Sequence, residues 1–582
     1  MTIYMRIINK IQKLVTNKGH ILTIAICSVC FASWLMFHTF SYDAKTHDIQ
    51  IAYKLWSDFG AHIPLIRSFS MGDNLSRFFH LTVQYPIFPG EPIRYHFLFY
   101  MFVGILERIG LRIDWALNIP SILGFASLMV FLYYISWKLT QSKATAILTV
   151  IFFLFNGSMG FERFFSLHPF SLNTLKDIIQ AKDFPAFAPW GPGEVTAFWN
   201  LNIYTNQRHL SFAFSIILLF LITLYKLKEL HWRKQVPWAI FWGFLIGTLP
   251  FFHQPALLII AVFMSIYFLV FPSLRVFLFF TGMISLELIV PQLLAVRGTS
   301  SPVEWYPGYT IHNELFAQKE LLTKIVHMIS FWWQNIGLHL LLIPVGFILL
   351  SKKAKLFLLP LIPLFIIPNF FKFSIEASAN HKFFNFVLLL GGMCSAYTIV
   401  RIVKLALQKK EVYLQGMGLY IAVVLTCFLT LSGVIDFFVI HNDIKGKLPD
   451  IAHNETAYWI QQNTPPSAIF LNSSYLFHPA SIAGRSIFLG WPYFAWSAGY
   501  KENRMPIMDT LFETRDVIKR CALLKKYDIS YITVENIKND TNLPDIDMEY
   551  FRSKHEAVFV SMNENLAIFT VEALCSPRRS IN

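Results

Sequence analysis

The sequence predicts a polytopic α-helical membrane protein. The chain has 582 residues, of which 55% are hydrophobic and only 14% are charged, whereas soluble proteins carry about 25% charged residues. Apolar runs long enough to cross a bilayer recur as far as about residue 440. Basic residues form short clusters between those runs, which is typical of cytoplasmic loops. The net charge of +14 therefore reflects membrane topology, and we expect no nucleic-acid partner.

Eleven segments qualify as membrane spans, and the first is read as an uncleaved helix because it is longer than a signal-peptide core. The segments are 21–40, 115–137, 144–160, 209–226, 237–252, 255–272, 276–296, 328–350, 356–371, 383–400 and 416–440. The segment 96–110 is short, and Glu107, Arg108 and Arg112 crowd its end. If it does not cross, every short basic loop lies on the side of the N-terminus. We therefore predict 96–110 as a juxtamembrane or re-entrant helix.

The charge pattern also predicts which side of the membrane carries the function. Four basic residues precede the first span, so we expect a cytoplasmic N-terminus. The short loops and the single polytopic chain favour a bacterial plasma membrane. The long loops then lie outside, together with the C-terminal tail. These outer segments are 41–114, 161–208, 297–327, 372–382 and 441–582.

The chain is predicted to contain two domains, a transmembrane domain at 1–440 and an extracytoplasmic domain at 441–582. In the tail, helical segments at 456–462 and 508–526 alternate with short apolar strands near 468–471, 529–534 and 557–561. This alternation predicts a small α/β or α+β domain. Cys521 and Cys575 could pair if the tail faces an oxidising compartment, and the sequence leaves this open.

The first outer loop holds the candidate catalytic group. Asp58 and His62 are four residues apart, so on a helix they share one face. Asp58 could act as a general base toward a hydroxyl, with His62 orienting it or binding phosphate. Arg67, slightly more than one turn further on, could meet an anion. The alternative is an interfacial amphipathic helix whose charges are simply solvated.

Further candidates follow in the same loop and the next one. A Pro-Gly-Glu-Pro turn delivers Arg94 and His96 to an aromatic helix, and these residues could bind substrate or snorkel at the membrane interface. Glu162 follows a span and is a candidate second acid for a metal or an acceptor, or else a surface element beside Arg163.

Phosphate ligands are predicted at two helix starts. Arg208 and His209 close the second outer loop, where a guanidinium and a helix N-terminus both favour an anion. Lys382 lies in a short polar loop and could supply a second phosphate contact or snorkel at the membrane end. The aromatic segment 490–500 could stack on sugar rings or pack the tail onto the membrane part.

Together these residues resemble the GT-C superfamily, the polytopic glycosyltransferases that use polyprenyl-phosphate-linked sugars. The family places an essential acid in the first outer loop, and Asp58 matches that position. A proline-bearing juxtamembrane segment resembles Pro89 to Gly110, and Glu162 matches the acid that follows the third span. The family's adjacent acidic pair is absent, because Phe59 follows Asp58, so a divalent cation is an open possibility.

The resemblance implies transfer of a sugar from a polyprenyl-phosphate donor to an acceptor glycan, lipid or protein at the outer face. Asp58 would accept the proton of the acceptor, while Arg208 and Lys382 would neutralise the phosphate. Two alternatives remain: a lipid or glycan transporter, and a non-catalytic component of a cell-envelope assembly. Against a transporter stand the absence of obvious inverted repeats and of charged residues at mid-span.

Overall fold

The chain divides into two compact units. The computed structural model describes residues 2–188, 194–296, 303–536, 544 and 546–575, and it describes side chains from residue 19 onward except that of residue 197. One unit, called here the helical unit, comprises Met1–His38, Pro120–Ile289 and Ser301–Ile444. The other, called the mixed unit, comprises Thr39–Ile119, Val290–Ser300 and Lys445–Asn582. The mixed unit therefore contains both the predicted first outer loop and the tail, whereas the sequence-based division placed that loop in 1–440.

Apolar helices make up the helical unit and its borders. Their bounds are Thr2–Thr39, Ile113–Thr140, Lys143–Leu154, Arg208–Leu227, Trp232–Gly247, Leu249–Phe252, Gln254–Val270, Arg275–Ala295, Leu321–Ile336, His339–Leu349, Lys352–Leu358, Leu361–Phe370, His381–Leu407, Val412–Phe428 and Leu431–His441. The connections contain the short helices Gly160–Leu167, Thr174–Ile179, Asn202–Asn206 and Glu314–Gln318. Two small ribbons pair Phe187–Ala188 with Val195–Thr196 and Glu304–Trp305 with Phe371–Lys372.

The predicted polytopic helical class is confirmed. Among the described residues, seven helices are long and apolar enough to cross a bilayer. If each of two bent helix pairs is counted as one span, the number of candidate spans rises to nine. Lys143–Leu154 and Gln254–Val270 are also apolar but shorter. These helices fall on the eleven predicted segments, whereas the count of eleven spans stays a prediction.

One predicted span, 328–350, is sharply bent. The helices Leu321–Ile336 and His339–Leu349 meet at 88°. Gly337 lies at the bend with φ +52°, a conformation that favours glycine. Its backbone also lies against the carbonyl oxygen of Gly157, where a Cβ atom would collide. A glycine is thus required at this position, both for the left-handed conformation and for the close approach.

The mixed unit joins segments that are far apart in sequence. Its first sheet is antiparallel, with Asp48–Ala52 between Phe40–Asp43 and Lys445–Pro449. Ile51 is paired with Gly446 in this register. The start of the tail is therefore hydrogen-bonded to the residues that follow the first helix.

A second sheet of five strands forms the core of the tail. Its order is Ser486–Ile487, Ile469–Leu471, Tyr531–Glu535, Leu566–Thr570 and Phe559–Val560. The first three strands are parallel and the last two pairings are antiparallel. The helices of this unit are Trp56–Ser70, Asn74–Phe78, Leu98–Arg108, Glu455–Asn463, Pro479–Ile482, Pro492–Ser497, Met505–Glu513, Val517–Lys526, Met548–Lys554 and Val571–Cys575. A ribbon of Gln84–Tyr85 with Phe88–Pro92 completes it.

Three local features refine the sequence reading of the mixed unit. The predicted helix 508–526 is two helices, because Asp516 accepts a hydrogen bond from the backbone N–H of Lys519 and caps the second one. Cys521 and Cys575, whose pairing was open, form a disulfide. The helix Leu98–Arg108 has 11 residues, or roughly 16 Å at 1.5 Å per residue, too short for a bilayer of about 30 Å.

Candidate functional site

Asp58 and His62 lie on the helix Trp56–Ser70 of the mixed unit. Asp58 is half-buried, whereas His62 is buried. The Nε2 atom of His62 lies 2.9 Å from the hydroxyl of Tyr100, and the two rings stack with centroids 4.6 Å apart. Burial first, and then the charge of Asp58, raise the pKa of the Tyr95 phenol. The helix thus presents an acid and an imidazole beside two neutral tyrosines.

Arg67, one of the predicted anion ligands, is held by two carboxylates of the same unit. Its Nη2 atom lies 2.8 Å from Asp450 and 3.2 Å from Glu107, and its side chain is 2% exposed. The hydroxyl of Ser70 donates to Glu107 at 2.6 Å. Burial raises the pKa of Glu107, although the charge of Arg67 opposes this. This buried ion cluster gives Arg67 a structural role, and its role as a substrate ligand stays a prediction.

Arg94 and His96 precede the aromatic helix Leu98–Arg108, as expected. The guanidinium of Arg94 donates to the carbonyl of Gly499 at 2.7 Å and to Glu91 at 2.8 Å. It also lies 4.7 Å from the ring centre of Tyr500. Arg94 therefore ties the predicted aromatic segment 490–500 to the first outer loop within the mixed unit. The His96 ring lies 5.0 Å from that of Tyr95.

The helical unit contains a separate group of basic residues at helix starts. Arg208 and His209 begin the helix Arg208–Leu227, and both are 0% exposed. Arg208 donates through Nε to the carbonyl of Thr205 at 2.7 Å. The rings of His209 and His253 lie 5.4 Å apart, and His253 caps the helix Gln254–Val270. Two helix N-termini therefore meet at this cluster.

A third helix start joins the same group. His381 and Lys382 are both buried in the first turn of His381–Leu407. The side-chain nitrogen of Gln207 lies 3.4 Å from Nε2 of His381, while its Oε1 atom is buried with no hydrogen-bond partner among the described residues. The backbone N–H groups at helix starts carry partial positive charge. Arg208, His209, His253, His381 and Lys382 are called here the basic cluster.

Below the basic cluster, the helical unit contains a small polar cavity. Asn385, one turn into His381–Leu407, has its side-chain nitrogen 3.2 Å from Nδ1 of His381. It lines a cavity of about 50 Å³ together with Asn156, Asn335 and His339. These amides lie in or beside apolar runs, so a search for polar residues inside the predicted spans could have found them.

An apolar cavity adjoins the polar one. It has a volume of about 330 Å³ and lies among the helices that begin at His339, Leu361 and His381. Ile336, His339 and Leu388 line both cavities. The other lining residues are Leu340, Ile343, Pro344, Phe347, Leu358, Leu361, Ile362, Phe365, Ile366, Val387, Gly391 and Cys394. The size falls within the range of small-molecule sites.

Two acids of the helical unit have different surroundings. Glu162 is exposed on the short helix Gly160–Leu167, and its role stays a prediction. Asp436 lies inside the predicted span 416–440 and accepts hydrogen bonds from Asn156 at 2.8 Å and Asn200 at 3.4 Å. The predicted span therefore contains an ionisable residue near its end, and the sequence itself contains this signal.

No protein-family model matches the sequence, and no curated protein matches it. The apo oligosaccharyltransferase of Archaeoglobus fulgidus aligns with 88% of this chain and 69% of its own length, at 11% identity and a TM-score of 0.50. The same enzyme tethered to an acceptor peptide aligns with 90% of this chain and 70% of its own, at 12% identity and a TM-score of 0.49.

A second enzyme aligns along its full length. ArnT from Cupriavidus metallidurans, bound to undecaprenyl phosphate, aligns with 97% of this chain and 100% of its own, at 9% identity and a TM-score of 0.47. At such identities the likeness to the oligosaccharyltransferase shows the fold alone. The chain therefore shares its fold with that enzyme, in line with the fold that the resemblance in sequence implied.

Proposed function

We propose that this chain, which shares its fold with an oligosaccharyltransferase, is a membrane glycosyltransferase that uses a polyprenyl-phosphate-linked sugar. One observation carries the proposal. Along the helix His381–Leu407, basic residues, a polar cavity and an apolar cavity follow one another, in the same order as the phosphate, its polar linkage and the apolar chain of such a donor. His381 and Lys382 lie in the basic cluster, Asn385 lines the polar cavity, and Gly391 lines the apolar cavity. A lipid phosphate presents the same order of anion, polar linkage and apolar chain.

The basic cluster supplies the phosphate site of this proposal. A guanidinium binds phosphate oxygens in a bidentate manner, and Arg208 is buried at a helix start beside His209. Lys382 adds a positive charge at another helix start. Helix N-termini favour anions. These groups would stabilise the phosphate as it gains charge on leaving the sugar.

The apolar cavity would hold the first part of the isoprenoid chain. A buried apolar wall stabilises such a chain by about 25 cal/mol per Å² of apolar surface removed from water. His339 lies at the junction of the two cavities, and its Nδ1 atom is 2.9 Å from the hydroxyl of Ser395. This contact fixes the imidazole where the chain would meet the polar linkage.

Asp58 is assigned the role of general base. As the acceptor hydroxyl attacks the anomeric carbon, the bond from that carbon to the phosphate oxygen breaks. The phosphate leaves with the bonding electron pair, and Asp58 takes the hydroxyl proton. A single displacement inverts the anomeric centre. The assignments to Asp58 and to the basic cluster each rest on contacts within their own unit.

The proposed location is a plasma membrane with the mixed unit outside. Disulfides persist in oxidising compartments and are rare in the cytosol. The bond between Cys521 and Cys575 therefore supports the orientation that the charge pattern predicts.

A transporter for a lipid or glycan is the second candidate, and one observation favours it. Asp436 lies within a predicted span and is hydrogen-bonded to Asn156, and ionisable residues in spans often mark transport paths. A transporter would move labelled lipid-linked sugar across a vesicle without releasing polyprenyl phosphate. A non-catalytic assembly component would do neither.

The test uses the full chain in nanodiscs with a radiolabelled hexosyl-phosphoryl-polyprenol and a membrane lipid extract as acceptor. Release of polyprenyl phosphate with a new labelled product is expected from the natural sequence. Asp58→Asn should bind the donor normally and lose at least roughly 100-fold in turnover, because general base catalysis contributes about that much. No product from the natural sequence with any acceptor fraction, or full turnover by Asp58→Asn, contradicts the proposal.

A matched pair of glycine variants tests the donor cavity. A Cβ atom on Gly391 would point toward the side chain of Ile343, which lines the cavity, whereas Gly416 faces open space. Gly391→Leu should therefore take space from the lipid chain and raise the donor KM by roughly tenfold or more, which corresponds to about 1.4 kcal/mol of donor binding. Gly416→Leu should leave it unchanged. Equal donor KM values for the two variants would mean that the apolar cavity does not bind the donor.

A further inference from the structure

Two helices of the helical unit end side by side, and each contributes a lysine there. The helix Ile113–Thr140 carries Lys138 in its last turn, and the helix Arg208–Leu227 carries Lys226 in its last turn. The ammonium group of Lys138 lies 5.5 Å from the centre of the Tyr134 ring, and that of Lys226 lies 5.8 Å from the same centre. Two full positive charges therefore gather around one aromatic side chain.

The first helix shows to which end of the spans these lysines belong. The Nδ1 atom of His20 lies 3.0 Å from the hydroxyl of Tyr133, and its ring centre lies 4.8 Å from that of Trp137. His20 is the second residue of the candidate span Gly19–Thr39. The two lysine-bearing helix ends therefore lie beside the N-terminal end of the first span, on the face where the charge pattern places the basic loops.

Tyr134, Trp137, Lys138 and Lys226 are called here the N-side group, and they offer hydrogen-bond donors without acceptors. The Trp137 ring lies 6.1 Å from that of Tyr134 and 4.3 Å from the ammonium group of Lys138. Ammonium, phenol and indole groups can all donate. None of these four side chains forms a hydrogen bond or an ion pair with another described residue. The sequence before Asp43 contains no carboxylate side chain that could pair with them.

We propose that the N-side group binds the headgroup of an anionic phospholipid in the adjacent leaflet. The phosphodiester of such a lipid supplies both the acceptor oxygens and the negative charge that the group lacks. A helix C-terminus carries only about half a negative charge, so it offsets part of the charge of each lysine. A basic pocket between the ends of membrane helices is a typical site for an anionic headgroup.

This site is separate from the phosphate site of the proposed function. Arg208 and Lys226 lie at opposite ends of one helix, 18 residues apart, or about 27 Å at 1.5 Å per residue. The distance is close to the thickness of the hydrocarbon core of a bilayer, about 30 Å. The lipid proposal therefore does not depend on the glycosyltransferase proposal.

The level of the N-side group favours a lipid over a soluble phosphate. Both lysine-bearing helices are candidate spans, so their last turns lie where a span leaves the hydrocarbon. Tryptophan and tyrosine side chains prefer the level of the lipid headgroups, and a lysine stem lets its ammonium group reach that level. A phospholipid places its phosphate at this level and its acyl chains along the apolar helices.

The test is native mass spectrometry of the full chain released from nanodiscs of phosphatidylcholine with a minor fraction of phosphatidylglycerol. The natural sequence should retain phosphatidylglycerol in preference to phosphatidylcholine. Lys138→Gln/Lys226→Gln should weaken phosphatidylglycerol binding by at least roughly tenfold, because each lysine near an anionic lipid contributes about fivefold. Tyr134→Phe keeps the ring and both lysines and should weaken binding by roughly threefold, the effect of one hydrogen bond.

The control removes two lysines from another basic segment of the same predicted face. Lys404 and Lys409 are exposed at the end of the helix His381–Leu407. Lys404→Gln/Lys409→Gln changes the net charge by the same amount and should keep the natural affinity for phosphatidylglycerol. Equal losses in the two double variants would mean that the charge of the whole face attracts the lipid, and the proposed site would be overturned.

Inorganic phosphate separates the lipid from a soluble anion. The thermal unfolding temperature of the natural sequence should be higher in nanodiscs that contain phosphatidylglycerol than in phosphatidylcholine alone. Inorganic phosphate added to the phosphatidylcholine nanodiscs should not reproduce this increase. An equal increase with inorganic phosphate would assign the N-side group to a soluble anion and overturn the lipid proposal. All these measurements are made without a sugar donor, so failure of the proposed function would leave their results unchanged.

Discussion

Two buried arginines, one in each unit, differ in the partners that the structure describes for them. In the mixed unit, Arg67 is paired with Asp450 at 2.8 Å and Glu107 at 3.2 Å. In the helical unit, Arg208 donates to the backbone carbonyl of Thr205 at 2.7 Å and contacts Met36, both neutral acceptors. In the first arrangement, two carboxylates pair with the positive charge, which therefore serves the fold. The second places it at a helix start, near Lys382 and two further helix N-termini, where an anion would be stabilised.

The largest expected effect is a contrast between the two arginine variants. Arg67→Gln leaves two carboxylates buried without their cation, which costs about 3–5 kcal/mol. Arg208→Gln keeps a donor for the carbonyl of Thr205 and should cost well under half of that. Thermal unfolding of each purified full-length variant measures the difference. Equal losses of stability in the two variants would mean that the comparison is wrong.

Asp450→Asn tests the same contrast by changing a carboxylate partner of Arg67 and leaving the arginine in place. It should destabilise the protein, because Arg67 then faces only Glu107, whose charged form burial already disfavours. Its donor KM should stay at the natural value, whereas Arg208→Gln should raise it strongly.

A smaller effect is expected from acid, again in the mixed unit. Burial lowers the pKa of His478 to about 3, while the unfolded residue titrates near 6.5. At pH values between about 3 and 6.5, the unfolded state binds a proton on His478 that the folded state does not bind. The free energy of unfolding therefore decreases as the pH falls below about 6.5, by about 1.4 kcal/mol per pH unit. Limited proteolysis between pH 7 and 5 should therefore cleave the mixed unit first.

The control for this prediction keeps the local hydrogen bond. Nδ1 of His478 accepts from the backbone N–H of Ala480, and asparagine serves the same capping role. His478→Asn should retain the fold and flatten the pH dependence. An unchanged acid sensitivity would assign it to other groups.

The sequence predicts helices far better than it predicts partners. Each apolar run of the helical unit became a helix or a bent helix pair, because burial in a bilayer demands continuous apolar stretches. The bend at Gly337 was missed, since it depends on the close approach of Gly157. The partner of Arg67 was missed because Asp450 is 383 residues away in sequence.

The candidate site was predictable in part. Asp58, His62 and the helix start at Arg208 stand out as polar residues beside apolar runs. Tyr95 and Tyr100 do not, because aromatic residues are common throughout this chain. Their positions beside His62 depend on tertiary packing against the helix Trp56–Ser70, which no local pattern encodes. Asp436 could have been found, because a lone acid within an apolar run is visible in the sequence.

The most direct test of the central claim is photo-crosslinking with a polyprenyl phosphate that carries a diazirine near its phosphate end. We expect adducts on cavity residues such as Ile343 and Leu388. These adducts should be lost in Arg208→Gln and in competition with unlabelled polyprenyl phosphate. Adducts spread over lipid-facing positions such as Leu286, which is 54% exposed, would contradict it. Equal labelling by a polyprenol without phosphate would contradict it as well.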